Sequence, residues 1–187
     1  MTRILTAVNE DPLRLEVIQA TGEWAQRLGA HVTVCHILPH QRYRQMQDEL
    51  RRQKQQHTVT IPQDIISDAY YEEVYRRWNL PESRFSEEEG HSLAHHVARD
   101  IAQLLDEYGV EYDSRGWVGE PAREIVQLSD EIDADLIVIG FEGLRGLGRV
   151  AAIGSVAREV LERATRQVLV VPALPEDGEP DASASSG

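Results

Sequence analysis

Apolar and polar residues alternate along this chain with two periods, one typical of strands and the other of helices. Five short apolar runs have the length of buried strands and occupy residues 4–8, 31–38, 110–118, 136–139 and 168–171. Between them, apolar residues recur at spacings of three and four, as on the buried face of an amphipathic helix. Because strands alternate with helices, the pattern predicts an α/β fold with a parallel sheet.

Two of the helix patterns make definite predictions about burial and length. In the helix that ends at Gly29, we expect one face to be buried and Trp24 to anchor it in the core; the face consists of Val17, Thr21, Trp24, Ala25 and Leu28. A second helix is predicted over residues 92–108, with Gly109 as its stop. The apolar run that follows alternates with polar residues, which indicates a strand at an edge of the sheet.

The fourth apolar run leads into a glycine-rich loop and then into a helix that begins at Gly154 and Ser155; the loop glycines are Gly140, Gly143, Gly146 and Gly148. A strand, a loop and a helix N-terminus in this order direct backbone N–H groups and the positive end of the helix dipole at one point. An anion, above all a phosphate, is the ligand that this arrangement favours. The alternative is structural, since a tight connection from strand to helix also needs glycine.

Composition narrows the classes of function. Asp and Glu number 32 against 19 Lys and Arg, a formal net charge of −13, so the surface should repel nucleic acid and anionic lipid. No apolar stretch approaches the length of a membrane span, and we expect a cytoplasmic protein without membrane insertion. The single cysteine, Cys35, excludes an internal disulfide and is expected to be a small buried apolar residue.

Three blocks of sequence, in order, resemble the universal stress protein family (UspA-like). They are ILTAVNEDP at residues 4–12, the segment that starts with Gly119-Glu120-Pro121-Ala122, and residues 135–172 with their Gly140-x-x-Gly143 and Gly154-Ser155. The resemblance covers most of the chain outside residues 40–90 and the tail. It implies a three-layer, doubly wound, Rossmann-like α/β fold with five parallel strands in the order 3-2-1-4-5. The ligand crevice would then lie at the carboxyl ends of strands 1 and 4.

By the same resemblance the crevice binds ATP, and residues of this chain take the binding positions of the family. Ala7, Val8 and Asn9 would face the nucleoside, main-chain groups around Val34 to His36 would contact the base, and Gly119 would lie beside the ribose. The phosphates would lie against the loop and the next helix, at Gly140, Gly143, Gly146, Gly154, Ser155 and Val156. Arg145 adds a cation that suits a phosphate, whereas the carboxylate of Glu142 would need a bound Mg²⁺ between it and the phosphates.

Two functional hypotheses follow from these observations. The first is a non-catalytic, adenine-nucleotide-binding regulator in a stress response, a homodimer joined through the edge strand at residues 168–171, as the resemblance implies. The second is a dimeric module that shares the fold, has lost ATP binding and acts on an unidentified protein partner. It rests on two departures from the family pattern. Asn9 stands where the family has Asp, and the loop between Gly143 and Gly154 is one residue longer.

Other sequence motifs that could indicate a function are either incomplete or lie in the wrong structural context. Gly146 to Ala151 fits the dinucleotide-binding pattern G-x-G-x-x-A, but it follows the fourth strand and lacks an acidic residue after the next one. The chain has neither a GK[ST] phosphate-binding motif nor a G-x-S-x-G nucleophile elbow. His91 and His95 are four residues apart without a third ligand, so no metal site is predicted. No residue is predicted to be catalytic, and slow ATP hydrolysis is left open.

The predicted domain spans residues 1–174, with an enlarged insertion at about residues 40–90 and a tail at residues 175–187. The insertion carries an aromatic stripe at helical spacing, formed by Tyr71, Val74, Tyr75 and Trp78. This stripe is expected to pack on its own domain, on another subunit or over the crevice. The tail is acidic and rich in Pro, Ser and Gly, and is expected to be disordered.

Overall fold

The computed structural model describes residues 1–9, 14–46, 48, 87–141 and 154–172. The glycine-rich loop at residues 142–153, most of the insertion with its aromatic stripe, and the tail from residue 173 lie outside the described residues. The predictions made for those segments therefore stay predictions. All five expected strands lie within the described part of the chain.

Strands and helices alternate as the apolar pattern predicts. Their bounds are β1 Arg3–Ala7, α1 Arg14–Leu28, β2 His31–Pro39, α2 Glu87–Ala102, β3 Tyr112–Gly119, α3 Pro121–Glu131, β4 Leu136–Phe141, α4 Ser155–Arg163 and β5 Gln167–Pro172. A short 3₁₀-helix at Gln103–Tyr108 continues α2, and residues 40–46 after β2 are helical. The helix predicted over residues 92–108 thus begins earlier, at Glu87, and changes from an α-helix to a 3₁₀-helix after Ala102. Its predicted stop is confirmed, because Gly109 has the left-handed φ of 61° that glycine adopts at helix ends.

The five strands form one parallel sheet in the order β3-β2-β1-β4-β5, which confirms the predicted topology. β1 lies in the middle, with Ala7 opposite both Cys35 of β2 and Ile139 of β4. β3 and β5 are the two edge strands of the sheet. For β3, this confirms what its alternating pattern indicates. In a sheet of this topology, the order of the strands reverses next to β1 and opens a crevice at the carboxyl ends of β1 and β4.

Side chains that alternate along each strand bury two separate apolar layers, one on each face of the sheet. On one face, Val32, Val34 and Leu38 of β2 pack with α1 and α2. On the other, Cys35 and Ile37 of the same strand pack with α3 and α4. A strand covered on both faces needs apolar residues at successive positions, which explains the continuous run in β2.

α1 buries three of the five expected residues, Val17, Thr21 and Ala25, but its buried face is rotated away from Trp24 and Leu28. Its buried residues are Val17, Ile18, Thr21, Gly22 and Ala25, whereas the side chains of Trp24 and Leu28 are 39% and 45% exposed. The prediction that Trp24 anchors the core is therefore wrong. Close packing of α1 explains the shift, because a Cβ on Gly22 would overlap the ring of Tyr108. Trp24 instead lies at the surface with the guanidinium of Arg27 5.8 Å from its ring centre, within the range of a cation–π contact.

Within the described residues, no helix is both long enough and apolar enough to cross a membrane.

Candidate functional site

The crevice forms where β1 and β4 separate beyond Ala7 and Ile139. After Ala7 the chain stays with β2, since the N–H of Val8 donates to the carbonyl of Cys35 at 3.0 Å. β4 continues instead alongside β5, with Gly140 opposite Val171. The space between the two diverging chains is therefore bounded by Val8 and Asn9 on one side and by the end of β4 on the other. Val8 is buried and Asn9 is exposed, so Asn9 lies at the rim.

The side chain of His36 also belongs to this region, although the sequence pointed only to the main chain there. Its ring Nδ1 lies 3.0 Å from the carbonyl oxygen of Val8, and its side chain is 1% exposed. A carbonyl only accepts hydrogen bonds, so Nδ1 must carry the proton and donate. The ring thereby fixes the peptide that joins Val8 to Asn9. The sequence signal for this role is a polar residue within an otherwise apolar run. A polar side chain that is buried in a sheet usually has a hydrogen-bond partner.

Val34 is placed differently from the prediction. In a parallel ladder the main-chain groups of successive residues face opposite neighbours, and the carbonyl of Cys35 faces β1. The N–H and carbonyl of Val34 consequently face β3, where Val34 is opposite Ser114, and its side chain is fully buried. The next residue whose main chain faces the crevice side is Ile37. Cys35 is also buried, and this burial raises the pKa of its thiol to about 12, as expected for an unreactive apolar residue.

The N-terminus of α4 lies at the same end of the sheet as the crevice, because in this fold a helix that follows a strand starts at the carboxyl ends of the strands. Gly154 is the N-cap, at φ −52° and ψ 154°, and among the described residues no side chain caps the helix. Any residue adopts these dihedral angles. A Cβ built on Gly154 meets no described atom within 4 Å. Ser155 is exposed, and Val156 is half-buried on the side that packs with Ala157 against the core.

Gly119 has a local reason to be glycine. It ends β3 opposite Pro39 of β2, and a Cβ there would come within 2.9 Å of Cγ of Glu124. Glu124 is itself held in place, since the indole N–H of Trp117 donates to its Oε2 at 2.9 Å. Because β2 lies between β3 and β1, the structure does not bring Gly119 directly beside Asn9.

The remaining predicted site residues divide in two groups. Gly140 lies within β4, where its main chain faces β5 rather than the crevice. Gly143, Arg145 and Gly146 fall in the loop outside the described residues. In the described part of the chain, no group of three or more His, Cys, Asp or Glu side chains is arranged to hold a metal ion. The described site is thus built from main-chain groups at the ends of β1 and β2 and at the start of α4.

A model of the universal stress protein family matches residues 1–172 of this chain. The chain is 38% identical over 170 residues to universal stress protein Sll1388 of Synechocystis, and the match covers 90% of this chain and 96% of that protein. It is 36% identical over 94 residues to universal stress protein MJ0531 of Methanocaldococcus jannaschii, a match to 50% of this chain and 52% of the relative. Among solved structures, a universal stress protein in complex with cAMP is similar in fold, with a TM-score of 0.53 at 18% identity and coverage of 91% and 96%.

Proposed function

Because this chain belongs to the universal stress protein family, we propose that it is a non-catalytic regulator that binds ATP or a related adenine nucleotide in the crevice between β1 and β4. The observation that carries the proposal is Gly154. Neither its backbone angles nor any described neighbour requires glycine at this position. Close approach of a ligand to the N-terminus of α4 gives the glycine a reason, and phosphates favour helix N-termini.

The other crevice residues take complementary roles in the proposal. Asn9 lies at the rim with an acceptor oxygen and an N–H donor for a ribose hydroxyl or a base edge. The main chain of Ile37, rather than that of Val34, contacts the base, since it faces the crevice side of β2. Gly143, Arg145 and Gly146 hold the phosphates from the loop, with Mg²⁺ offsetting the charge of Glu142. A family member that is solved with cAMP supports an adenylate as the ligand class.

We propose further that the protein is a cytoplasmic homodimer that acts in a stress response and is joined through β5. β5 is an edge of the sheet and carries apolar residues that stay partly accessible; they are Val168, Leu169 and Val170. An edge strand with such residues is suited to pair with a second copy.

The nucleotide is tested by calorimetric titration of the full chain with ATP, with and without Mg²⁺. Ser155→Ala removes a hydroxyl donor and should weaken binding roughly ten- to a hundredfold, since a hydrogen bond to a charged group contributes about 1.5–3 kcal/mol. Gly154→Val should weaken it further, because the side chain occupies the space left for the phosphates. Glu162→Ala, at the exposed far end of the same helix, is the control and should bind as wild type does.

The second candidate function is a dimeric interaction module without nucleotide. Asn9 in place of Asp and the longer loop support it, and its contact surface would include the aromatic stripe of the insertion. The same titration separates the two functions. An absence of heat and of any thermal shift at millimolar ATP would refute nucleotide binding and leave the module. In that case, Trp78→Ala should lower the assembly mass in sedimentation.

A further inference from the structure

The outer side of β3 offers main-chain groups to a partner. Alternate residues of β3 face β2, and the others face away from the sheet. Val118 belongs to the outward set, since its N–H points at Nδ1 of His91, 3.4 Å away. Ser114 and Gly116 belong to the same set. Among the described residues, none hydrogen-bonds the N–H of Ser114 or of Gly116.

A groove of about 390 Å³ runs along this edge. Its lining comes from β3, from α2 on one side and from α3 on the other; it comprises His95, Ser114, Arg115, Gly116, Trp117, Glu124, Gln127, Leu128 and Glu131. Gly116 keeps the α2 wall close, because a Cβ at this position would overlap the backbone of Ala94 and His95. The floor is therefore open main chain, and two helices form walls on either side.

The α3 wall carries two carboxylates that are bonded to alternate residues of β3. Glu131 accepts a hydrogen bond from Arg115 at 2.8 Å, and Glu124 accepts one from Trp117 at 2.9 Å. Arg115 and Trp117 are two residues apart, so their side chains and both carboxylates lie on the same face of the sheet. An added strand would direct every second side chain to this same face.

The one α2 side chain in the lining of the groove is that of His95, and the guanidinium of Arg99 lies near it on the same helix. Burial, together with the neighbouring His96 and Arg99, lowers the pKa of His95. The groove then holds the carboxylates of Glu124 and Glu131 against the single guanidinium of Arg115, in a molecule with a net charge of −13. A cationic occupant is complementary to it.

We propose that this groove binds an extended segment of a partner protein by strand addition to β3, with basic side chains at alternate positions. Main-chain bonds to Ser114 and Gly116 supply the pairing, and the basic side chains lie against Glu124 and Glu131. The intervening side chains face Ser114 and Gly116, where small polar residues fit. A second copy of the chain is disfavoured, because its own α2 and α3 would meet the two walls.

The test uses the full chain and an acetylated peptide of alternating Thr and Arg, (Thr-Arg)3, and binding is followed by amide NMR shifts and by the indole N–H signal of Trp117. We expect saturable shifts centred on Ser114 and Gly116, and at least tenfold weaker binding of (Thr-Glu)3. Ser114→Pro removes the outward N–H and blocks strand pairing, so it should weaken binding at least tenfold, whereas Ser114→Ala should not. Glu131→Gln should weaken it severalfold.

A second measurement leaves the protein unchanged. Two further peptides are N-methylated, one at all Thr residues and the other at all Arg residues, so that each lacks every second amide donor. Only the amide donors that face β3 contribute to the pairing. One of the two should lose binding and the other should keep it. Equal effects of the two, equal binding of the acidic peptide, or an absence of binding would overturn the proposal. Concentration-dependent shifts at Ser114 and Gly116 without peptide would also overturn it, in favour of self-association. The outcome does not depend on ATP binding.

Discussion

His36 and Cys35 are neighbours in β2 that face opposite layers of the protein and meet different requirements. Cys35 is apolar in character and needs only space, which the α3 and α4 layer provides. His36 is polar and needs a partner, which it finds in the carbonyl of Val8. Since Val8 precedes Asn9 at the rim of the crevice, this single bond links the core of the sheet to the proposed site.

Replacement of His36 should separate its polar role from its size. His36→Leu leaves the buried carbonyl of Val8 without this donor and should lower the free energy of unfolding by about 1–3 kcal/mol. His36→Asn places an amide N–H near the position of Nδ1 and should recover much of the loss. Urea unfolding measures both. If the His36→Leu protein were as stable as wild type, or if the His36→Asn protein were no more stable than His36→Leu, the bond to Val8 would not stabilise the fold.

Beside the buried apolar residues, a few close contacts fix the helices to the sheet. α1 is tied to β1 through the buried hydroxyls of Thr6 and Thr21, 3.0 Å apart, and Thr21 also donates to the carbonyl of Val17. α2 lies against β3 where Gly116 has no side chain. Such contacts set the rotation of a helix, which explains why Trp24 lies outside the core although it is the largest apolar residue of α1.

Two glycines provide a matched pair of tests at this scale. Gly116→Ala puts a methyl group into the backbone of α2, and overpacking of this kind costs about 1–3 kcal/mol or more. Gly154→Ala meets no described atom and should leave the free energy of unfolding nearly unchanged while it weakens ATP binding. Thermal unfolding and ATP titration of both variants check this. A stable Gly116→Ala protein would show that α2 is free to move away from β3.

The whole molecule has two sheet edges with different surroundings. β3 lies in a groove between two helices, with carboxylates on one wall. β5 carries partly accessible apolar residues along its length. These differences favour an extended basic segment at β3 and a second copy at β5, so the two proposed partners do not compete.

The proposed dimer is tested at the outward main chain of β5. Ladder alternation places the N–H of Leu169 away from β4, so Leu169→Pro removes an outward donor and no bond to β4. We expect this variant to sediment at half the mass of wild type at micromolar concentration. Leu169→Ala loses the same packing but keeps the N–H, and it should stay dimeric. A monomeric wild type, or a dimeric Leu169→Pro protein, would contradict the assembly through β5.

The sequence by itself determined the elements, their order and the parallel sheet. Continuous apolar runs such as residues 136–139 indicate strands that are buried on both faces, and glycines such as Gly109 end helices through their own backbone freedom. These are local properties, and they are readable along the chain. The start of α4 at Ser155 was likewise predicted from local pattern.

Only the tertiary structure decided which groups meet. The bond from His36 to Val8, the direction of the main chain at Val34 and the outward face of Trp24 each depend on residues that are far apart in sequence. The groove at β3 has the same origin, since α2, β3 and α3 build it together. Periodicity gives the face of an element, but the distance and rotation at which two elements pack come from the contacts between them, and those contacts form only in the folded chain.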